Sequence, residues 1–141
     1  MPTPPPSSHP SPVTYVVLPA WNEERVIGPT LAALATAVRG HESAYDAVLV
    51  DDGSSDGTVA EAERAVSAAG GALPLTVLRH EANRGLGAAL RTGLYWCLDR
   101  AGDADVIVTL DADNTHPPAL IPALVASLDE RHELAIASRY R

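Results

Sequence analysis

The sequence predicts an α/β domain with a Rossmann-like, doubly wound, mostly parallel sheet. Three observations predict it. Short runs that are apolar throughout recur five times along the 141 residues. Helical-period segments separate them, and a polar stretch follows each of the first four runs. Strands apolar on both faces belong to parallel sheets covered by helices on either side, and strand–helix alternation supplies those helices.

Residues 13–18 form the first apolar run and read as a buried strand. Ile27, Leu31, Leu34 and Val38 follow at the spacing of one helix face. Residues 47–50 give a second strand. Val59, Ala62, Val66 and Ala69 give a second helix, with Gly70-Gly71 as its stop. Residues 75–78 are the third strand. Leu86, Leu90, Leu94, Cys97 and Leu98 mark a third helix that closes near Gly102. Residues 106–110 are the fourth strand. Leu120, Leu124 and Leu128 mark a fourth helix. Pro118 and Pro122 confine its start to about residues 119–120, because proline is tolerated only where the amide has no helical partner. Residues 134–137 read as a fifth strand. Residues 1–12 hold six of the twelve prolines and read as a disordered tail, which leaves 13–141 as the domain.

Composition removes several function classes. The net charge is −8, with ten arginines and no lysine, so nucleic acid is not an expected partner. The single cysteine, Cys97, excludes an internal disulfide or a cysteine metal cluster and reads as core. No stretch approaches the ~18 apolar residues of a membrane span, and the start lacks a secretory layout. The expected location is therefore cytoplasmic.

Right-handed crossovers bring all the loops that follow the strands to one rim, where such sheets bind ligands. The loops read PAWNEE (19–24), DDGSSDGT (51–58), HEANRGLG (80–87) and DADNTHPP (111–118). Asp111 and Asp113 have the period-two spacing that points side chains the same way from an extended segment. Paired carboxylates offer hard oxygen ligands to Mg²⁺ or Mn²⁺; the alternative is that Asp113 or Asn114 caps the next helix. In DDGSSDGT, Gly53 and Gly57 suit special backbone angles and Asp56 or Ser55 suits a cap. Asp51 or Asp52 is placed to accept an N–H from a nucleobase. Gly85 and Gly87 precede a helix and suit a phosphate cradle. The dinucleotide fingerprint is excluded, because this loop follows the third strand and Leu90 stands where a third glycine is needed. A Walker-type loop is excluded by the absence of lysine. Arg84 and Arg139 are candidate phosphate partners or solvated surface groups. His116 reads as a hydrogen-bonded loop residue or a metal ligand. Trp21 reads as a stacking platform, with core packing as the alternative.

Together LPAWNEE, VDDGSSDGT, NRGLGAALRTGL, LDADNTHPP and SRYR resemble the motifs of family 2 glycosyltransferases of the GT-A fold. They are most similar to the polyprenyl- or dolichol-phosphate mannosyl- and glucosyltransferases, across residues 13–141. The resemblance implies transfer of a hexose, with inversion, from GDP-mannose or UDP-glucose to a polyprenyl phosphate at the cytoplasmic face of a membrane. It implies that Pro19, Trp21, Glu23 and Asp52 line the nucleoside pocket; Gly53 and Arg84 are further candidates for donor binding. Asp111 and Asp113 would bind metal and donor diphosphate, and Arg139 would contact phosphate. Thr115 falls where some relatives place a third metal ligand. Relatives continue well past SRYR, so the chain is expected to be incomplete at its C-terminus or to work with a partner chain. Two other readings are carried. One is a non-catalytic nucleotide-sugar-binding module. The other takes DADNT as the nucleophile loop of a haloacid-dehalogenase-type phosphatase, with Asp111 as nucleophile.

Overall fold

The computed structural model describes residues 11–137; the tail through residue 10 and residues 138–141, Arg139 among them, lie outside it. Among the described residues there are four strands: β1 (Val13–Ala20), β2 (Ala44–Asp51), β3 (Leu75–Arg79) and β4 (Val106–Thr109). Three helices connect them: α1 (Ile27–Val38), α2 (Thr58–Ala68) and α3 (Leu86–Leu98). A 3-10 turn at Pro118–Leu120 leads into α4 (Ile121–Ala126). The sheet order is β3-β2-β1-β4 and every pairing is parallel.

All eight residues of β1 are buried, which its central place requires. Its side chains alternate between two cores. Val16, Leu18 and Ala20 pack with Ile27, Leu31 and Leu34 of α1 and Ala62 of α2. Val13, Tyr15 and Val17 face the other way, onto Ala89 and Cys97 of α3. Each fully buried Leu, Ile or Val contributes roughly 1.5–3 kcal/mol, so β1 and α1 anchor the domain.

The third helix forms where predicted and buries Cys97 as expected, but the rest of its inward face differs. Its buried residues are Ala89, Gly93 and Cys97, whereas Leu86 and Leu98 are exposed. The reason is steric. A Cβ on Gly93 would stand 2.5 Å from Val17 Cγ1 and 3.0 Å from Val50 Cγ2. Only small side chains let the helix lie this close to β1 and β2.

Two further expectations are corrected. Residues 134–137 form no strand; Leu134 and Ile136 are exposed, and β4 has no second strand partner among the described residues. The fourth helix is shorter than its leucines suggested. Pro122 sits in its first turn, residues 118–120 wind as 3-10, and Leu128 lies beyond its end. Ile121 supplies its buried contact, and Leu120 is exposed.

Candidate active site

The strand order reverses beside β1: the chain winds outward through β2 and β3, then returns to place β4 on the other side of β1. In parallel sheets such a reversal marks where ligands bind, beyond the carboxyl ends of the strands. A cleft of about 370 Å³ lies there, lined by Pro19 at the end of β1, Trp21 and Glu23 after it, Asp52 after β2, Asn83 and Gly85 before α3, and Asp111 and Asp113 after β4. The sequence-predicted residues of four separate loops therefore meet in one place.

The first two loops are buckled together. The Asn22 amide donates to Ser54 Oγ at 2.9 Å, and Asn22 Oδ1 accepts from the Ser55 amide at 2.9 Å. Glu24 Oε2 accepts from the Gly57 amide at 2.8 Å, and the Glu23 amide donates to Thr58 Oγ1 at 2.9 Å. Asn22 takes a positive φ of 53° within this buckle, a conformation that asparagine tolerates better than most residues. The result displays Trp21, 51% exposed, on the cleft wall. That exposure removes the core-packing reading of Trp21.

The two neighbouring aspartates of the second loop have different jobs. Asp51 is buried; its oxygens accept from the Ser54 amide at 3.2 Å and from Arg79 Nε at 3.3 Å. Asp52 reaches the cleft. Its Oδ1 accepts from His80 Nδ1 at 2.7 Å and the Arg84 amide at 2.9 Å, and its Oδ2 from the Gly85 amide at 2.9 Å. Burial alone would raise its pKa; the His80, Arg84 and Gly85 hydrogen bonds outweigh burial and hold the carboxyl below its ordinary value. Arg84 thus contributes through its backbone, while the residue itself is exposed. Gly53, at φ 74°, allows this arrangement. A Cβ there would meet the Ala82 carbonyl carbon at 2.4 Å and the Asn83 nitrogen at 2.6 Å, so the 80–85 loop could not close over it.

In the fourth loop the alternation is as predicted. Asp111 and Asp113 are exposed on either side of the buried Ala112. Thr30 Oγ1, on α1, lies 2.8 Å from the Val26 carbonyl oxygen and 3.4 Å from that of Ala112, which pins this loop to the helix below. Asp113 Oδ1 accepts the Thr115 hydroxyl at 2.6 Å and its amide at 3.0 Å. These bonds, the hydroxyl first, hold the Asp113 carboxyl below its ordinary pKa. The Thr115 hydroxyl is thereby directed at Asp113, and Thr115 is not part of the cleft lining. His116 Nδ1 lies 3.3 Å from Asp111 Oδ2. Glu23 is pushed the opposite way: partial burial, then the charges of Asp113 and Asp56, raise its pKa.

An acidic cleft of this kind fits a hard divalent cation. Among the described residues no group of three His, Cys, Asp or Glu side chains could hold a metal by itself. Asp111 and Asp113 would supply part of an octahedral shell, and Mg²⁺ or Mn²⁺ ordinarily completes such a shell with phosphate oxygens and water.

His80 and Thr92 are the residues that sequence reasoning missed. The His80 ring is nearly buried, with Nε2 2.8 Å from Thr92 Oγ1 on α3. The available signal was a histidine at the end of the third strand, level with the Asp51-Asp52 pair. A second, larger groove of about 600 Å³ runs beside β4 and touches Asp111 and His116 at one end. It is lined mostly by aliphatic residues, so the polar chemistry belongs to the smaller cleft.

Comparison with known proteins agrees with this fold. The model of the family described as glycosyl transferase family 2 matches residues 15–141. A dolichol-phosphate mannosyltransferase of Pyrococcus furiosus is 32% identical over 125 residues, covering 89% of this chain and 32% of that protein. A dodecaprenyl-phosphate galacturonate synthase of Rhizobium johnstonii is 33% identical over 126 residues, covering 89% of this chain and 35% of that protein. Among solved structures, a mannosyltransferase of Pyrobaculum calidifontis in complex with GDP-Man and Mn²⁺ superposes with a TM-score of 0.63 at 26% identity, over 86% of this chain and 33% of that one. The glucosyl-3-phosphoglycerate synthase of Mycobacterium tuberculosis, with Mn²⁺, UDP-glucose and phosphoglyceric acid, gives 0.56 at 28% identity, over 83% and 39%. The chain spans about a third of the length of the curated relatives it matches.

Proposed function

This chain belongs to glycosyl transferase family 2, and on that footing we propose that residues 13–141 bind a nucleotide diphosphate sugar in the cleft for transfer of its hexose to a polyprenyl phosphate. The observation that carries the reading is the convergence of Trp21, Glu23, Asp52, Asp111 and Asp113 at the point where the strand order reverses. Trp21 offers a ring face to the base or ribose. Asp52 offers an acceptor to an N–H of the base. Asp111 and Asp113 would hold Mg²⁺ or Mn²⁺ for the diphosphate, and Arg139 is assigned to phosphate. When bound, the cation supplies Lewis-acid stabilisation of the departing diphosphate.

The reaction forms a bond from an acceptor phosphate oxygen to the anomeric carbon on the face opposite the donor. The bond from that carbon to the diphosphate breaks, and its electron pair leaves with the nucleoside diphosphate. This displacement inverts the anomeric centre. The acceptor is already an anion, so no strong general base is needed. Among the described residues no helix is long and apolar enough to cross a membrane; the proposal places the protein in the cytoplasm, peripheral to the membrane that carries the lipid phosphate.

A narrower reading, a donor-binding unit that needs further polypeptide for transfer, is favoured by one observation: the matches cover about a third of each relative. That polypeptide would be a continuation or a partner chain supplying the acceptor-binding half. The phosphatase reading of DADNT is displaced by the family match and by the position of Asp111 after the fourth strand. Calorimetry with UDP and GDP, with and without Mn²⁺, tests donor binding. Mn²⁺-dependent binding that Asp111→Asn weakens at least tenfold supports the proposal; binding indifferent to Mn²⁺ and to the substitution overturns it. Incubation with polyprenyl phosphate and labelled donor then separates transfer from binding alone.

A further inference from the structure

His80 occupies an unusual place for a histidine outside the expected donor contacts. Its side chain is 6% exposed and spans two partners, Asp52 on one ring nitrogen and Thr92 on the other. Asp52 is held ionised by its hydrogen bonds and can only accept. The proton therefore sits on Nδ1, and in the uncharged ring Nε2 accepts the Thr92 hydroxyl proton.

A carboxylate has about four acceptor positions, two on each oxygen. On Asp52, His80 Nδ1 and the Arg84 amide take both positions of Oδ1, and the Gly85 amide takes one of Oδ2. One acceptor position remains, on Oδ2, in a residue that lines the cleft. Guanine presents two adjacent donors on its pairing edge, N1–H and the 2-amino group, and engages a carboxylate best through both oxygens. Uracil presents one donor, N3–H, between two carbonyls.

We propose that His80, steadied by Thr92, is a positioning residue that makes Asp52 a one-oxygen acceptor and so selects uracil over guanine in the donor. This rests on the reading of the cleft as a nucleotide-sugar site. His80 does not touch the nucleotide. It acts by filling the second acceptor position of Oδ1, while the Arg84 and Gly85 amides set the rotation of the carboxylate. Without it that position opens beside the one on Oδ2, Asp52 offers both oxygens, and the discrimination is lost before binding is.

The test is titration of the whole chain with UDP and with GDP in Mn²⁺, read as the ratio of dissociation constants. The parent is expected to bind UDP at least tenfold tighter than GDP. His80→Ala is expected to reduce that ratio below threefold. His80→Asn, which returns an amide N–H near the site of Nδ1, is expected to restore most of it. Thr92→Val, close in shape and lacking the hydroxyl, is expected to fall between parent and His80→Ala, and serves if the alanine variant does not fold. A merely structural role would lower both affinities together and leave the ratio unchanged. A parent ratio near one or favouring GDP overturns the proposal, as does an unchanged ratio in His80→Ala and Thr92→Val. If the parent binds neither nucleotide, the donor-cleft reading fails and this proposal falls with it.

Discussion

Substituting Gly93 by alanine puts the packing of α3 to a quantitative test. The new Cβ would lie 2.5 Å from Val17 Cγ1, 3.0 Å from Val50 Cγ2 and 3.5 Å from Val17 Cγ2. Unstrained carbon contacts fall near 3.5–4.0 Å, so the first overlap is about 1 Å. Valine is stiff at χ1, and both valines sit on β1 and β2, the two inner strands of the sheet, so neither can turn away cheaply. Overpacking costs roughly 1–3 kcal/mol, and an overlap of about 1 Å onto two stiff valines falls in the upper part of that range, about 2–3 kcal/mol. Alanine gains up to about 1 kcal/mol of helix propensity over glycine, which offsets part of the cost. The net expectation is a loss of about 1–2 kcal/mol. With a urea slope near ~2 kcal/mol per molar, the unfolding midpoint falls by roughly 0.5–1 M. Gly87→Ala is the control: it lies on the same helix, and nothing stands within 4 Å of its Cβ, so it should be neutral or slightly stabilising. The helix begins just after Gly85, whose amide holds Asp52, so Gly93→Ala should also weaken UDP binding. A Gly93→Ala protein as stable as the parent, or more so, would refute the close approach of α3 to the sheet.

Three other outcomes are expected. Asp113→Asn should remove most of the Mn²⁺ dependence of UDP binding, a loss of at least tenfold by calorimetry, because the amide cannot supply the anionic oxygen. In acid, Asp52, Asp56 and Asp113 all have folded-state pKa values below their ordinary value. Their contribution to stability is therefore complete above about pH 4, the unfolded carboxylate value, and is lost as pH falls through the lower folded values. Glu23 runs the other way: its raised pKa makes the folded state bind its proton more tightly, so acidification toward pH 4 relieves a small penalty. Urea midpoints measured from pH 7 to 3 should stay level or rise slightly before dropping below about pH 4. Cys97 is fully buried and its thiol is pushed up to about 11; at pH 8 a thiol reagent should label it only at the rate of unfolding.

Much of the fold was legible because parallel strands buried on both faces leave plain apolar runs. Val16, Leu18, Leu49 and Val50 could hardly be placed elsewhere. The face of α3 was legible only at Cys97. Leu86, Leu90, Leu94 and Leu98 repeat at helical spacing, and so do Ala89, Gly93 and Cys97. Hydrophobicity favours the leucines, but the distance from helix to sheet decides, and that distance is a property of the assembled layers. Residues 134–137 show a related limit: an apolar run reads as a strand only if a neighbour accepts its hydrogen bonds, and none of the described residues does. In the cleft, Asp111 and Asp113 announced themselves through period-two spacing. The roles of His80 and Thr92 depend on a ring bridging twelve residues of chain, which no local pattern records. The buckle of Asn22 with Ser54 and Ser55 joins loops more than thirty residues apart and was equally silent.

The crowding of Glu23 against Asp113 has a consequence for how the protein behaves on heating. Burial first, and the neighbouring acidic charges after it, penalise the ionised Glu23, and a cation bound among these carboxylates would relieve that penalty. The melting temperature then becomes a gauge of occupancy: an ion present at a hundred times its dissociation constant adds about 2.7 kcal/mol to the folded state. A thermal scan against Mn²⁺ concentration would thus weigh the ion without any sugar, any lipid or any turnover.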